Sequence, residues 1–403
     1  MNIIIVSIYS FPFGMAPTNR ILAYSKGLLE NGATIDIINP FPSDLLKNNF
    51  RENDFGTYQG LKYKYISGRY KSRYKFFRAI SFFSGYRKIR GYITTLQSIY
   101  MMNRIKKYDC IIISTDHIPT LFVFSIISRI IHAKSIFIFD EYPIPIRHKL
   151  KEKIPSWKNF LFKLVLNKID AYISISEELK NYFCKRSMKK TLILPVIVDI
   201  SRFEKKIDNT TVSKRKFLCY MGNMELSKDD VDNIIKAFSI IANSYTEIDL
   251  FLYGNPTTNS NIVLEKLIQD LGMQDRIFLK GKVSGFDVPD ILLNAHILVS
   301  SQPDTIRASG GFPTKLGEYL STGVPALLTN VGENANYVKE NEHVFFAKPQ
   351  DPLNYAEKLK YILDNYEFAL QVAQKAKAFV FDNYSHIIQG KRLKDFISVL
   401  NKT

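Results

Sequence analysis

The chain is poor in cysteine, lacks long apolar runs, and has too few acids to balance its cations. Cys110, Cys184 and Cys219 are its only cysteines. Three such residues, widely spaced and without paired metal spacing, support neither a disulfide frame nor a zinc site, and a reducing cytoplasm fits them best. His132, His148, His296, His343 and His386 share no ligand spacing, so no metal is expected. No uninterrupted apolar run reaches the length of a bilayer span. Short-period repeats and low-complexity tracts are also missing, which excludes solenoids and fibrous arrays. The opening MNIIIVSIY has no basic leader before its apolar run and flows into a patterned segment. It is read as a first strand rather than a signal peptide.

What is present is enough apolar material for two domains. At 403 residues, 46% apolar and 13% aromatic, the chain exceeds what one core usually supports. Residues 2–9 read as a strand, 10–18 as a loop holding Pro12, Gly14 and Pro17, 19–31 as an amphipathic helix closed by Gly32, and 34–39 as the next strand. This beta-alpha-beta opening puts Gly14 at the carboxyl end of a strand, the crevice side of an open parallel sheet. Strand-like runs recur at 110–114, 135–139 and 171–174 with helical patterns between them, which predicts a doubly wound domain. After a polar stretch the alternation restarts at 217–221 and continues through strands at 249–253, 277–280 and 297–300. The organisation expected is an α/β first domain over 1–200, a linker at 201–215, an α/β second domain over 216–380, and a terminal helix over 381–403 that returns to the first domain.

The net charge of +17 is unevenly spread. Phe55 to Tyr108 holds thirteen Lys or Arg and no Asp or Glu, so this segment alone carries +13. Within it KYKYISGRYKSRYKFFR interleaves Tyr and Phe with cations, Lys71, Arg73, Lys75 and Arg78 among them. That mixture suits a headgroup surface, a nucleic-acid strand or a solvated basic loop. Each cation near an anionic bilayer contributes roughly 1 kcal/mol, so several hold a protein on a membrane without a spanning helix.

The densest chemistry lies in SGGFPTKLGEYLSTGVP, residues 309–325. Gly310 and Gly311 let backbone amides approach a ligand, and Pro313 suits a first helical position, so Thr314 and Lys315 present N–H groups to an anion. Glu318 follows one turn later on the same helix face, where a carboxylate can accept two ribose hydroxyls beside a phosphate. Gly323 and Pro325 stop the helix, and 326–329 reads as a buried strand. A nucleoside diphosphate fits such a device. Gly222 follows a strand, and Lys228, six residues on, can neutralise a diphosphate leaving group or be a surface lysine beside Asp229, Asp230 and Asp232. Arg307 is a second cation with the same two readings. His117, at a strand's carboxyl end, can hydrogen-bond a transferring sugar or acceptor hydroxyl, or be a plain loop histidine. Asp140 and Glu141 can serve as a general base or cap a loop. Gly281 to Phe286 can lay backbone against a flat base or make an ordinary turn.

In this order the pieces resemble glycosyltransferase family 4, a retaining family with the GT-B fold of two facing Rossmann-like domains and a central cleft. The resemblance spans nearly the whole chain. It is carried by the Gly14 loop, SISEELKNYF at 174–183, LPVIVDISRF at 194–203, YMGNMELSKDD at 220–230, RIFLKGKVS at 276–284 and, above all, GGFPTKLGEYLSTGVP at 310–325. It implies that Glu318 binds the donor ribose, Lys228 the diphosphate, Gly14 the phosphates from the first domain, and Val283 the base, with His117 a looser match. Two positions depart from the pattern. Gly310 stands where a glutamate eight residues before Glu318 is common, and Asn223 where an arginine is usual, which leaves phosphate neutralisation to Lys228 with Arg307 or Lys315. The implied reaction moves a sugar from a nucleotide diphosphate to a hydroxyl with retention and without a metal or other cofactor. The implied acceptor is a lipid-linked saccharide at the cytoplasmic face of the cell membrane, in surface polysaccharide assembly. No nucleic-acid partner is expected. A nucleotide-sugar 2-epimerase and a nucleic-acid-modifying protein are the rival readings; an epimerase has no use for a membrane surface, so the cationic segment argues against it.

Overall fold

The computed structural model describes residues 1–14, 16–41, 54–66, 84–115, 117–143, 156–204, 215–310 and 314–402. The chain divides into two compact units, Met1–Asp199 with His386–Thr403, and Ile200–Ser385. Lys71, Arg73, Lys75, Arg78 and Gly311 lie outside the described residues, as does most of the segment read as a linker.

The first unit runs β1 Asn2–Ser7, α1 Ala16–Glu30, β2 Thr34–Asn39, β3 Phe55–Tyr58, β4 Leu61–Tyr65, α2 Ser84–Ile105, β5 Cys110–Ser114, α3 Ile118–Ile130, β6 Lys134–Phe139, α4 Ser156–Lys168, β7 Ala171–Ser174, α5 Glu177–Cys184 and β8 Lys190–Ile193. The second opens with a 3-10 turn, Ile200–Phe203, then β9 Lys216–Met221, α6 Leu226–Asp229, α7 Val231–Ile241, β10 Ile248–Tyr253, α8 Thr258–Asp270, β11 Ile277–Gly281, α9 Val288–Leu293 and β12 Ile297–Ser300. It continues with α10 Ile306–Gly310, α11 Thr314–Thr322, β13 Ala326–Thr329, α12 Asn334–Tyr337, β14 Phe345–Ala347, α13 Pro352–Asp364 and α14 Tyr366–Tyr384, and α15 His386–Lys402 returns to the first unit.

The first sheet has the order β3-β4-β2-β1-β5-β6-β7-β8, parallel throughout except where β3 meets β4. Its central strands, NIIIVS, CIIIS and AYIS, are apolar on both faces because parallel strands are covered on both sides. On one side Ile3, Ile5, Ile112 and Ile136 pack with Tyr24 and Leu28 of α1 and Leu393 and Ile397 of α15. On the other, Phe137 and Phe139, packed edge-on by Tyr172, meet Phe183 of α5, which in turn lies edge-on against Phe162 of α4. α1 and α15 cross at backbone contact, since a Cβ on Gly27 would lie 2.0 Å from the His386 carbonyl oxygen. The second sheet has the order β11-β10-β9-β12-β13-β14, parallel at every pairing.

Three sequence expectations change. Lys62–Tyr65, read within a continuous basic surface, is most of β4: Leu61 and Tyr65 are buried while Lys62 and Lys64 point to solvent. The period of two was hidden inside the charge run. Tyr65 is fixed there, donating to the Phe11 carbonyl at 3.0 Å and accepting from its amide at 2.8 Å. The helix expected from residue 19 starts at Ala16, because Pro17 is well placed in a first turn. The terminal helix expected over 381–403 begins at His386, because the residues up to Tyr384 belong to α14.

Candidate functional site

In each sheet the chain reverses direction of travel once, between β1 and β5 in the first and between β9 and β12 in the second. The crevice outside the carboxyl ends of such a strand pair is where open α/β sheets bind ligands. Those ends carry the candidate residues. In the second unit the loop after β9 holds Gly222 and Lys228, and the segment after β12 holds Arg307, Gly310, Lys315 and Glu318. In the first unit the loop after β1 holds Gly14, and His117 follows β5.

At the second switch point α11 is tied down by its own aromatic. Tyr319 accepts a hydrogen bond from the Met221 amide at 2.9 Å and reaches the Val299 carbonyl at 3.4 Å, so one phenol bridges β9 and β12. Tyr355 does the same for the next pair, bonding the Ser300 and Leu327 carbonyls at 3.2 and 3.1 Å. Tyr319 thus fixes α11, and Tyr355 fixes α13, relative to the strand ends. Gly222 is required where it stands: a Cβ there would come within 2.3 Å of the Tyr220 hydroxyl and 2.9 Å of Lys315 Nζ.

The cations are set among acids. Lys315 Nζ lies 2.8 Å from Asp229 Oδ1, 3.4 Å from the Tyr220 hydroxyl and 4.5 Å above that ring. The Asp229 side chain is only 2% exposed. Burial would raise its pKa, but the Lys315 ammonium, aided by Lys228, outweighs this and holds it below the ordinary carboxylate value. Burial, then the Asp229 charge, pushes the Tyr220 phenol well up. Arg307 pairs with Glu225 at 3.5 Å, and the Lys228 amide donates to the Glu225 carbonyl at 2.8 Å. Lys228, Arg307 and Lys315 are thus gathered on one stretch, Glu225 to Asp229. Of the three aspartates that follow Lys228, Asp229 and Asp230 are buried.

Glu318 is held by a residue the sequence reading did not single out. Arg202, in the opening 3-10 turn, places Nη1 2.5 Å from Glu318 Oε1 and Nη2 3.2 Å from the Gly285 carbonyl. It therefore links the carboxylate of α11 to the loop after β11, the one containing half-buried Val283. Gly281 ends that strand at φ +71°, which suits glycine, and its carbonyl takes the Gly254 amide at 2.9 Å. Gly310 closes α10, and α11 starts at Thr314.

Asp230 sits in the left-handed region at φ 37° before α7. Ser301 donates to it at 3.3 Å and accepts from the Asn233 amide group at 3.1 Å, a buried link from α7 to the residue after β12. Burial, then the Asp232 carboxylate, raises the Asp230 pKa to about 6.

In the first unit, His117 occupies the N-cap position of α3 without a side-chain capping bond, its Nδ1 2.8 Å from the Thr120 hydroxyl, which Tyr92 of α2 meets at 2.7 Å. The His117 amide donates to Thr115 at 3.1 Å. Gly14 lies against Thr18, whose hydroxyl a Cβ would meet at 2.0 Å and which itself donates to the Ser10 carbonyl at 2.7 Å. Asp140 pairs with Arg20 at 2.8 Å. Asp140, Glu141, Tyr9, Ser114 and Thr115 line a small depression at the strand ends.

Arg202, Tyr220, Glu225, Asp229 and Tyr319 are the residues of this arrangement that sequence reasoning passed over. Only Asp229 left a signal, as one of three early acids, and its partner lies 86 residues away.

Residues 201–379 match the family described as glycosyl transferases group 1. No curated protein matches the chain in sequence. Among solved structures, Alr3699/HepE of Anabaena, in complex with UDP and glucose, superposes with a TM-score of 0.71 at 12% identity, covering 99% of this chain and 100% of that one. A glycosyltransferase from Rickettsia africae gives 0.70 at 15% identity, covering 100% and 99%. WaaG, a glycosyltransferase involved in lipopolysaccharide biosynthesis, gives 0.64 at 13% identity, covering 98% and 99%. The fold is GT-B, two parallel-sheet Rossmann-like domains, and the chain is a glycosyltransferase.

Proposed function

We propose that this glycosyltransferase, of the retaining family 4 kind, moves a sugar from a nucleoside diphosphate sugar to a hydroxyl of a lipid-linked saccharide in surface polysaccharide assembly at the inner face of the cell membrane. The observation that carries the reading is the gathering of Lys228, Arg307, Lys315 and Glu318 at the switch point of the second sheet. Similar folds have been seen with UDP and glucose, in Alr3699/HepE, and in lipopolysaccharide synthesis, in WaaG.

In this reading Glu318 accepts the ribose hydroxyls and the Val283 loop lies against the base. The Thr314 and Lys315 amides with Lys228, and Arg307 behind them, receive the diphosphate. Charge develops on that diphosphate as its bond to the anomeric carbon breaks, and preset donors stabilise it without reorganising. The acceptor oxygen bonds the same face of that carbon, and its proton passes to a phosphate oxygen. His117 and Gly14 serve the sugar, acceptor or phosphates from the first unit. Paired cations take the place of a metal at the leaving group, and no cofactor is invoked.

The test is turnover of nucleotide sugars chosen by a thermal-shift panel of UDP, GDP, ADP and CMP, since a ligand of the folded state raises its melting point. Glu318→Ala and Lys228→Ala, with melting temperatures retained, should each lower turnover about tenfold or more, the size of one charged hydrogen bond at ~1.5–3 kcal/mol. Undiminished turnover in Glu318→Ala rejects the site. Conversion of the donor to its 2-epimer without any acceptor would favour epimerisation instead.

A further inference from the structure

Helices α2, α3 and α4 each carry apolar side chains on a side that no described residue covers. In α4 the inner residues Phe162, Val165 and Leu166 are buried against the unit, as an amphipathic helix requires. Yet Trp157, Phe160, Leu161 and Leu164, spaced as one helix face, are exposed, Trp157 and Phe160 at 62% and 61%. In α3 the same doubling occurs: Leu121, Phe124 and Ile127 are buried, while Phe122, Ile126 and Ile130, one turn apart, face outward. In α2, Ile89, Ile93 and Tyr100 share a second exposed stripe. α3 lies against both α2 and α4, and the Arg129 guanidinium of α3 reaches the Lys168 carbonyl at the end of α4. The three outward stripes therefore belong to one side of the first unit.

Their charge narrows the partner. The 48 residues of α2, α3 and α4 contain eight Lys or Arg and no Asp or Glu. Every other described helix of eight or more residues contains at least one acid. A protein partner or a second copy of this chain would have to cover exposed aromatics ringed by cations of a single sign. A bilayer with anionic headgroups meets both features together: indole and phenyl rings settle at the headgroup level, and lysine stems run along apolar surface with their ammonium groups outward. No described helix is long and apolar enough to cross a membrane, which leaves insertion from one side.

We propose that the outer side of α2, α3 and α4 is a docking face for anionic phospholipid bilayers, with Trp157 and Phe160 of α4 and Phe122 and Ile126 of α3 as the inserting residues and Arg90, Arg104, Arg129, Lys158 and Lys163 as the headgroup contacts. This rests on the membrane-facing part of the proposed function and replaces a diffuse basic loop with defined side chains. Because His117 occupies the N-cap position of α3 and Phe122 lies little more than one turn beyond it, docking brings that strand edge of the first unit toward the headgroups.

Trp157 is the chain's single tryptophan, so its emission reports on this face alone. The full-length protein should float with vesicles rich in phosphatidylglycerol and not with pure phosphatidylcholine. Its emission should shift to the blue on the former and be quenched by bromine placed near the top of the acyl chains. Phe122→Ser with Phe160→Ser, both at exposed positions, should keep the melting temperature and lower vesicle partitioning about tenfold or more, the effect of removing two buried apolar side chains. Lys158→Glu with Lys163→Glu should remove the lipid selectivity. Emission that ignores the vesicles overturns the proposal. So does a blue shift that instead tracks protein concentration and dimer formation, which would make this a contact between copies. Normal sugar transfer to a soluble acceptor without flotation defeats the docking face and spares the transferase reading; flotation retained by inactive Glu318→Ala does the reverse.

Discussion

Cations serve two different ends in the two units. Around the switch point of the second sheet three cations each have a named acid: Lys315 has Asp229, Arg202 has Glu318, Arg307 has Glu225. Along α2, α3 and α4 of the first unit there are eight cations and no acid at all. Pairing fixes a long side chain in one place and limits the local field, which suits a small anion that must be held in register. An unbalanced array leaves the field extended and its geometry loose, which suits a surface of many equivalent anions. The comparison makes opposite demands on salt: short, partly buried pairs are screened little, whereas attraction to a charged surface fades over a Debye length of ~8 Å at physiological ionic strength.

The largest expected effect comes from breaking the most buried pair. Lys315→Met removes the ammonium and leaves Asp229 charged in the protein interior, and stranding one member of a buried pair costs ~3–5 kcal/mol. Denaturant titration should show that loss, with Asp229→Leu in the same chain recovering most of it. If the double variant is no better than the single, Lys315 is not serving mainly as the partner of Asp229, and the contrast between paired and unpaired cations weakens.

A pH effect of intermediate size isolates the neighbouring acid. The Asp230 pKa stands at about 6 in the folded chain, above the ordinary carboxylate value of 3.8. The folded state therefore holds this proton more tightly than the unfolded chain does. The resulting stability is complete below the ordinary value and is lost as the pH rises through about 6. Two pH units of difference correspond to at most ~3 kcal/mol. Asp230→Asn suits the left-handed backbone, where asparagine is well tolerated. It should raise the melting temperature above pH 6 and leave it nearly unchanged near pH 4. A gain of equal size at both ends would mean that Asp230 does not titrate between them.

The contrast also explains which parts of the molecule were legible in the sequence. Strands β5, β7, β12 and β13 coincide with runs such as CIIIS and ALLT that are buried at every residue and apolar up to a closing Ser or Thr. Burial of both faces leaves little else for such a run to be. The α11 helix was legible because its stop, Gly323 at φ +75° followed by Pro325, is local. The acid partners were not, since Lys315 finds Asp229 and Glu318 finds Arg202 only through folding, across 86 and 116 positions. Charge misled at Lys62 to Tyr65, where a strand alternation was read as part of a basic surface. On α4 the outward apolar side chains went unnoticed, because SWKNFLFKLVLNK has two apolar faces and a single helix usually needs one.

The smallest effect separates two roles for Arg202. Its side chain and that of Glu318 are 24% and 25% exposed, so their pair contributes ~1 kcal/mol or less to folding. Its bond to Gly285 suggests positioning rather than stability: the guanidinium holds the carboxylate of α11 and the loop after β11 in one frame, so that ribose and base are met together. On that account Arg202→Ala should raise KM for the nucleotide sugar by about fivefold, with kcat nearly kept, because the lost interaction is the same in ground and transition states. Arg202→Lys should recover little, since an ammonium cannot span both acceptors. Were Arg202 only a stand-in for the donor, occupying Glu318 until the sugar nucleotide arrives, its removal would lower KM instead. The sign of that one change thus distinguishes a pair built to be kept from a pair built to be broken.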